Sequence, residues 1–235
     1  MDEMLQRVST IYKKMSHAAM RADRGPETVR LVAVSKNFDS ESVVNAISVG
    51  LRDFGENRIQ EAQSKIDEVR RLVPEAKVRW HLVGHLQKNK AKRAVELFDT
   101  IHSLDSSELA AVIDRHAADL GKIQRVLLQV KLSEEESKYG IDEGAVNAFL
   151  GKVRAMKHLK VEGLMTVPPY FEDPEAARPY FRRLREIRQR AEETGFELPE
   201  LSMGMSHDFE VAIGEGATMV RIGTAIFGER SKEAL

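Results

Sequence analysis

Residues 29–37 read Val29-Arg30-Leu31-Val32-Ala33-Val34-Ser35-Lys36-Asn37, and the way this stretch ends decides between two α/β folds. A run rich in β-branched residues predicts a buried strand over Val29 to Val34. In an open doubly wound sheet, such a first strand runs into a Gly-x-Gly-x-x-Gly turn that receives a dinucleotide. Here Ser35-Lys36-Asn37 stands in that place. Upstream, Met4, Leu5, Val8, Ile11, Tyr12 and Met15 recur at spacings of three and four, which predicts an amphipathic helix ended by Gly25-Pro26. Downstream, seven more strand candidates follow: Leu51 to Phe54, Val78 to Val83, Thr100 to Leu104, Arg125 to Val130, Val161 to Val167, Glu200 to Met203 and Thr218 to Ile222. Helical patterns separate them at Ser40 to Val49, Glu56 to Leu72, Lys88 to Leu97, Ser106 to Leu120, Glu143 to Met156, Pro174 to Thr194 and Ser206 to Glu215. Eight strands alternating with helices, at about 26 residues per unit, match the repeat of a (β/α)₈ barrel. The expected architecture is α/β: one (β/α)₈ TIM barrel domain over residues 1–235, with an extra N-terminal helix.

Composition narrows the class of function. The 235 residues are 42% hydrophobic and 31% charged, the balance of a folded soluble protein. With 36 Lys plus Arg against 37 Asp plus Glu, the net charge of −1 argues against binding built on attraction to nucleic acid phosphates. The absence of Cys removes disulfides, thiolate metal sites and cysteine nucleophiles together. Met1 to Arg24 lacks the uninterrupted apolar region of a secretory signal, and runs such as Leu31 to Val34 and Val126 to Leu128 fall far short of the roughly 20 residues that span a bilayer. A cytoplasmic protein with no membrane and no nucleic acid partner is expected.

In a barrel of this kind the chemistry gathers at the carboxyl ends of the strands. Val32, Val34 and Lys36 share one face of the first strand, so an interior face brings an ammonium to the barrel mouth. Desolvation there lowers the pKa of a lysine and makes it a nucleophile toward aldehydes; on the outer face it would be an ordinary loop side chain. After the second strand, Gly55 frees a turn and Asn57 offers an uncharged amide, unless Glu56 and Asn57 merely open the next helix. In the last strand, Met219, Arg221 and Gly223 share a face. A buried Arg221 calls for an anionic or aromatic ligand or a carboxylate partner. The loop Ser202-Met203-Gly204-Met205-Ser206 enters a helix with Ser206 where an N-cap would stand, and with Gly223-Thr224 it forms a phosphate cradle of a kind common in barrels. Asp208 and Glu210 could instead satisfy that helix start themselves. A lysine nucleophile, a phosphate cradle and an arginine on one rim suit a phosphorylated aldehyde. Pyridoxal 5′-phosphate and a sugar phosphate both meet that description.

Several stretches also resemble a known family: Leu31-Val32-Ala33-Val34-Ser35-Lys36, Phe54-Gly55-Glu56-Asn57, the segment from Trp80 to Lys90, Ser137-Lys138-Tyr139-Gly140, Gly163-Leu164-Met165, Leu201 to Ser206, and Met219 to Gly228. On these motifs the chain resembles the pyridoxal phosphate homeostasis proteins, single-domain relatives of the alanine racemase N-terminal barrel. The resemblance implies that Lys36 forms the aldimine with pyridoxal phosphate, that Ser206, Gly223 and Thr224 hold its phosphate, that Arg221 faces the pyridine nitrogen, and that Asn57 and Met165 line the pocket. It further implies a role in vitamin B6 homeostasis, with apoenzymes that use the cofactor or vitamin B6 salvage enzymes as the proteins that exchange it. The chain departs from the family pattern at Asn37-Phe38-Asp39 and at His207.

An arginine against the pyridine nitrogen discourages its protonation and weakens the ring as an electron sink. In the racemases a second base, a Tyr, comes from an added carboxyl-terminal domain, whereas this chain ends seven residues after Gly228. The reading is therefore a carrier or reservoir without robust catalysis, the alternative being a racemase-like enzyme of low activity. Of the four Tyr, only Tyr139 falls after a strand end, where packing in the loop is the simpler role. His81 and His85 straddle a strand end and a Gly, so no metal is expected from their spacing. The run of Arg178, Arg182, Arg183, Arg185, Arg188 and Arg190 reads as the solvated face of a helix whose Phe181, Leu184, Ile187 and Ala191 are buried. Lys88, Lys90, Lys92 and Arg93 read the same way, and could also draw phosphorylated ligands toward the rim.

Overall fold

The computed structural model describes residues 2–133 and 139–228. The strands are β1 (Arg30–Val34), β2 (Asp53–Glu56), β3 (Arg79–Leu82), β4 (Thr100–Leu104), β5 (Gln124–Lys131), β6 (Ile141–Asp142), β7 (Leu159–Met165), β8 (Glu200–Ser202) and β9 (Met219–Ile222). β1 pairs in parallel with β2 on one side and β9 on the other, and Ala33 lies opposite both Phe54 and Ile222. Pairing continues around to β4 and β5, which bond to each other and close the ring. Eight parallel strands thus form the expected barrel, and the two-residue β6 is an annex on β5.

Helices surround it: α1 (Asp2–Arg21), α2 (Ser40–Ser48), α3 (Ile59–Leu72), α4 (Ala91–Leu97), α5 (Ser107–Asp119), α6 (Val146–Val153), α7 (Arg178–Glu193), α8 (Phe209–Gly214) and α9 (Thr224–Phe227). α1 is the extra N-terminal helix. It buries Val8, Ile11 and Met15, and Arg24, just beyond its end, donates to the Ile213 carbonyl of α8 at 3.1 Å. No helix among the described residues is long and apolar enough to cross a membrane.

Several boundaries differ from those the sequence suggests, each for a local reason. Leu51 belongs to the end of α2 rather than to β2: Gly50 takes a φ of 99°, and the Leu51 N–H returns to the Ala46 carbonyl at 3.1 Å, closing the helix. Glu56 ends β2 with its side chain buried and so cannot start α3, whose N-cap is Arg58. The segments over 88–97, 143–156 and 174–194 each begin with a turn of 3₁₀ helix. Ser206 is not the N-cap of α8. That position is taken by Asp208, whose carboxylate bends back to accept the Met205 N–H at 2.6 Å.

The arginine run is also more than a solvated face. Phe181, Leu184, Ile187 and Ala191 are buried as expected. But Arg178, Arg182 and Arg185 converge on Glu215, just after α8, at 3.0, 3.2 and 2.9 Å, and that side chain is only 5% exposed. One carboxylate thereby ties α7 to α8 and steadies the loop that carries Ser206. Replacing Glu215 by Ala leaves three cations facing each other; because the arginines are partly exposed, the expected loss is about 2 kcal/mol rather than the larger cost of breaking a fully buried pair. Urea unfolding of Glu215→Ala measures it, and a change below about 0.5 kcal/mol would place this cluster among the ordinary surface pairs.

Candidate functional site

The site starts with how β1 presents its last residues. Ser35 points out of the barrel, where its hydroxyl donates to Glu56 Oε1 at 2.6 Å. Lys65, reaching in from α3, donates to Glu56 Oε1 and to the Ser35 carbonyl, both at 2.7 Å, and to Glu61 Oε1 at 3.1 Å. Burial pushes the Glu56 carboxyl up, and the Lys65 ammonium pulls it back. With Ser35 fixed outward by this buried cluster, strand alternation turns Lys36 inward. Asn37 follows in the left-handed region, at a φ of 63°, with its N–H donating to Glu61.

Lys36 opens on a cavity of about 390 Å³ at the carboxyl ends of the strands, within the size range of small-molecule sites. Val34, Phe38, Asn57, Val83, Val167, Met205, Ser206, His207, Arg221, Gly223 and Thr224 complete its lining. Six of the seven residues expected at a cofactor site therefore meet at one opening: Lys36, Asn57, Ser206, Arg221, Gly223 and Thr224. Met165 does not. It is buried in the barrel interior with Val32, Leu127 and Met219, and Val167, two residues farther along the same side of the chain, packs on that cluster and lines the cavity instead.

Asn57 owes its place to Gly84. A Cβ on Gly84 would come within 2.3 Å of the Asn57 carbonyl oxygen, so the backbone after β2 can lie where it does only against a glycine. Gly204 has a similar role in the opposite wall. Its φ is 90°, and a Cβ there would meet Ala212 at 2.6 Å and Phe209 at 3.0 Å. That tight turn brings Ser206 beside the end of β9, where its Oγ accepts the Gly223 N–H at 3.3 Å and lies 3.3 Å from the Thr224 hydroxyl. Two hydroxyls and a backbone amide thus face one small volume, suited to the oxygens of a phosphate. Neither nearby carboxylate fills it: Asp208 is engaged with Met205, and Glu210 faces Lys14 and Arg21 of α1.

Arg221 forms the inner wall. Its side chain is buried, and it donates to Ser202 Oγ at 2.6 Å and to the Thr166 carbonyl at 2.9 Å. Both acceptors are neutral. Burial lowers its pKa to about 10, against the attraction of Asp208, so it remains a cation at neutral pH. Neither bond is to a carboxylate: Asp208 attracts the guanidinium without bonding to it, and Ser202 leads to His102, His81 and Asp53 behind it. His81 thus sits in the barrel core, and no group of three or more potential metal ligands occurs among the described residues. His85 stacks on Tyr139 with ring centroids 3.5 Å apart and pairs with Asp105 at 3.3 Å. Tyr139 is exposed and does not line the cavity. Ser137 and Lys138 of the same motif lie outside the described residues.

Sequence reasoning gave no role to Lys65, Ser202, His102 or Asp53. The usable signal for His102 was its place in the middle of Thr100 to Leu104, a strand that is otherwise buried throughout. Of the departures from the family pattern, Asn37-Phe38-Asp39 and His207, Phe38 and His207 line the cavity; Phe38 stacks on Phe227 at 4.9 Å, and His207 Nε2 lies 3.0 Å from the Glu172 carbonyl.

The family described as alanine racemase, N-terminal domain, matches residues 9–231. The pyridoxal phosphate homeostasis protein of Aquifex aeolicus is 43% identical over 226 residues, 96% of this chain and 97% of that protein. The protein of the same name from Escherichia coli K12 is 37% identical, covering 98% of each chain. Among solved structures, PipY of Synechococcus elongatus with PLP bound superposes with a TM-score of 0.83 at 37% identity, over 96% of this chain and all of that one. An alanine racemase from Clostridium difficile shares the fold, with a TM-score of 0.72 at 13% identity, and this chain spans 59% of its length. The chain belongs to the pyridoxal phosphate homeostasis protein family, within the alanine racemase N-terminal-domain fold.

Proposed function

We propose that this protein binds pyridoxal 5′-phosphate in the cavity between β1 and β9 and acts in the cytoplasm as a carrier or reservoir in vitamin B6 homeostasis, without robust catalysis. The observation that carries this reading is the meeting of Lys36, the Ser206, Gly223 and Thr224 cradle, and the buried Arg221 on one cavity of about 390 Å³. Each fits a different part of the ligand. Pyridoxal phosphate supplies an aldehyde that condenses with an amine, releasing one water, and a conjugated ring that can accept electrons. Lys36 is the amine placed to hold that aldehyde carbon. Ser206, Gly223 and Thr224 give hydroxyl and amide donors to the phosphate. Arg221 presents a permanent donor to the ring nitrogen and so keeps protons off it. Asn57 contributes a neutral amide to the rim, and Val34, Val83 and Val167 supply apolar walls. Apoenzymes that use the cofactor, or salvage enzymes of vitamin B6, are the partners this reading implies.

The relatives' shared name supports a role in homeostasis, while the racemase-like fold leaves the alternative of weak amino acid racemisation. Two features favour the carrier. The arginine opposite the ring nitrogen opposes carbanion chemistry, and no tyrosine is among the residues lining the cavity. Steady racemisation that disappears on substitution of both Lys36 and a Tyr would overturn it.

Wild-type protein mixed with pyridoxal phosphate is expected to gain a visible absorption band. Lys36→Ala should lose the band and bind at least about tenfold more weakly. A wild type that cannot be loaded would contradict the proposal. The double variant Ser206→Ala, Thr224→Val should weaken binding of pyridoxal phosphate by about tenfold or more, yet leave the affinity for pyridoxal unchanged. Equal loss for both ligands would remove the phosphate from that cradle.

A further inference from the structure

Behind Arg221 a line of buried polar side chains crosses the barrel interior, and five strands contribute to it: Asp53 from β2, His81 from β3, His102 from β4, Ser202 from β8 and Arg221 from β9. Barrel interiors are ordinarily filled by branched apolar side chains, so this layer is a departure that needs a cause. The links are short and continuous. Arg221 Nη1 lies 2.6 Å from Ser202 Oγ, Ser202 Oγ 2.9 Å from His102 Nδ1, His102 Nε2 3.0 Å from His81 Nδ1, and His81 Nε2 3.0 Å from Asp53 Oδ1.

The two ends fix the direction of every hydrogen. A guanidinium only donates, so Ser202 Oγ accepts from Arg221 and has one hydrogen left to give. His102 Nδ1 is the acceptor in reach, which places the His102 hydrogen on Nε2. That hydrogen points at His81 Nδ1, so His81 also carries its hydrogen on Nε2 and donates to Asp53. Asp53 only accepts, and Arg79 adds donations to both of its oxygens, at 2.7 and 2.6 Å. The opposite sense would give Ser202 two incoming hydrogens and nowhere to send its own. Burial holds His102 neutral, its pKa driven well below the ordinary value, and the Arg221 and Arg30 cations lower it further. Burial raises the Asp53 carboxyl, but the bonds from His81 and Arg79 override it and hold the pKa at about 2.

We propose that Asp53, His81 and His102 are positioning residues for Arg221: through Ser202 they form a one-way hydrogen-bond chain that orients the guanidinium toward the cavity. Asp53 and Arg79 begin their strands, at the rim opposite the mouth. Asp208 attracts the guanidinium from the Met205 turn without bonding to it, so the mouth keeps a cationic donor whose hydrogen bonds run to neutral acceptors. This role toward the ring nitrogen rests on the proposed binding of pyridoxal phosphate; the direction of the chain does not.

Long-range ¹H–¹⁵N spectra of the ¹⁵N-histidine-labelled protein test the chain without any ligand. Both His81 and His102 are expected as neutral Nε2–H tautomers at neutral pH. An Nδ1–H tautomer or an imidazolium at His102 would overturn the chain. The positioning role is tested with Asp53→Asn, which keeps shape but removes the terminal anion, and with His81→Gln should the first variant fold poorly. Either should shift the pH at which the absorption of the pyridoxal phosphate-loaded protein changes by about half a unit or more, and weaken binding about fivefold. A merely structural role would lower the melting temperature and leave both readouts where they are in the wild type. Should the wild type fail to bind the cofactor, the proposed function falls while the tautomers still decide the chain; should it bind and the variants match it, only the positioning role falls.

Discussion

Arg221 is a guanidinium taken out of water that donates to a hydroxyl and a carbonyl, both uncharged. That condition organises much of the barrel. An arginine so placed is tolerable only if its donors are met and its charge is answered somewhere. The first requirement places Ser202 Oγ and the Thr166 carbonyl where they are. The second is met by the attraction of Asp208, which bonds to the Met205 N–H and not to the guanidinium, while Ser202 ties Arg221 through two imidazoles to Asp53 across the interior. A carboxylate placed directly against Arg221 would satisfy it more simply, but would also neutralise the mouth.

Lys36 is presented by a different device. The charged groups behind it, Lys65, Glu56 and Glu61, lie outside the barrel wall, between β1, β2 and α3. Their work is to hold Ser35 outward, so that the next side chain has to turn inward. The two basic side chains of the mouth are thus supported from opposite sides of the sheet, Arg221 from the interior and Lys36 from the helical layer. The third wall, around Ser206, depends on backbone: Gly204 makes the turn and Asp208 closes it through Met205.

These features were unequally legible in the sequence. The eight strands stood out because each buries β-branched or aliphatic residues in a short run. Period-two alternation from Val34 and Met219 was enough to bring Lys36 and Arg221 to one mouth, since β1 and β9 are neighbours in the closed ring. Leu51 was misread because a helix ending and a strand beginning can share one apolar residue. Ser206 was misread as a cap because nothing in the sequence tells which of two nearby polar side chains bends back on the turn. The wall position went to Val167 rather than Met165 because alternation gives a side chain's face but not its depth in the barrel. The chain behind Arg221 was hidden for a deeper reason. Its members come from five strands, as far apart as Asp53 and Arg221, and their pairing depends on a closed barrel whose interior depth a linear pattern does not encode.

The central claim is that Lys36, among the many lysines of this chain, is the one that bonds the aldehyde of pyridoxal phosphate. Loading the protein, reducing it with borohydride, digesting it and weighing the peptides by mass spectrometry tests that claim directly. The account predicts that the reduced pyridoxyl phosphate mass appears on the peptide containing Lys36. Its appearance instead on a peptide from the Lys88 to Lys92 cluster, or on no peptide at all, would contradict it.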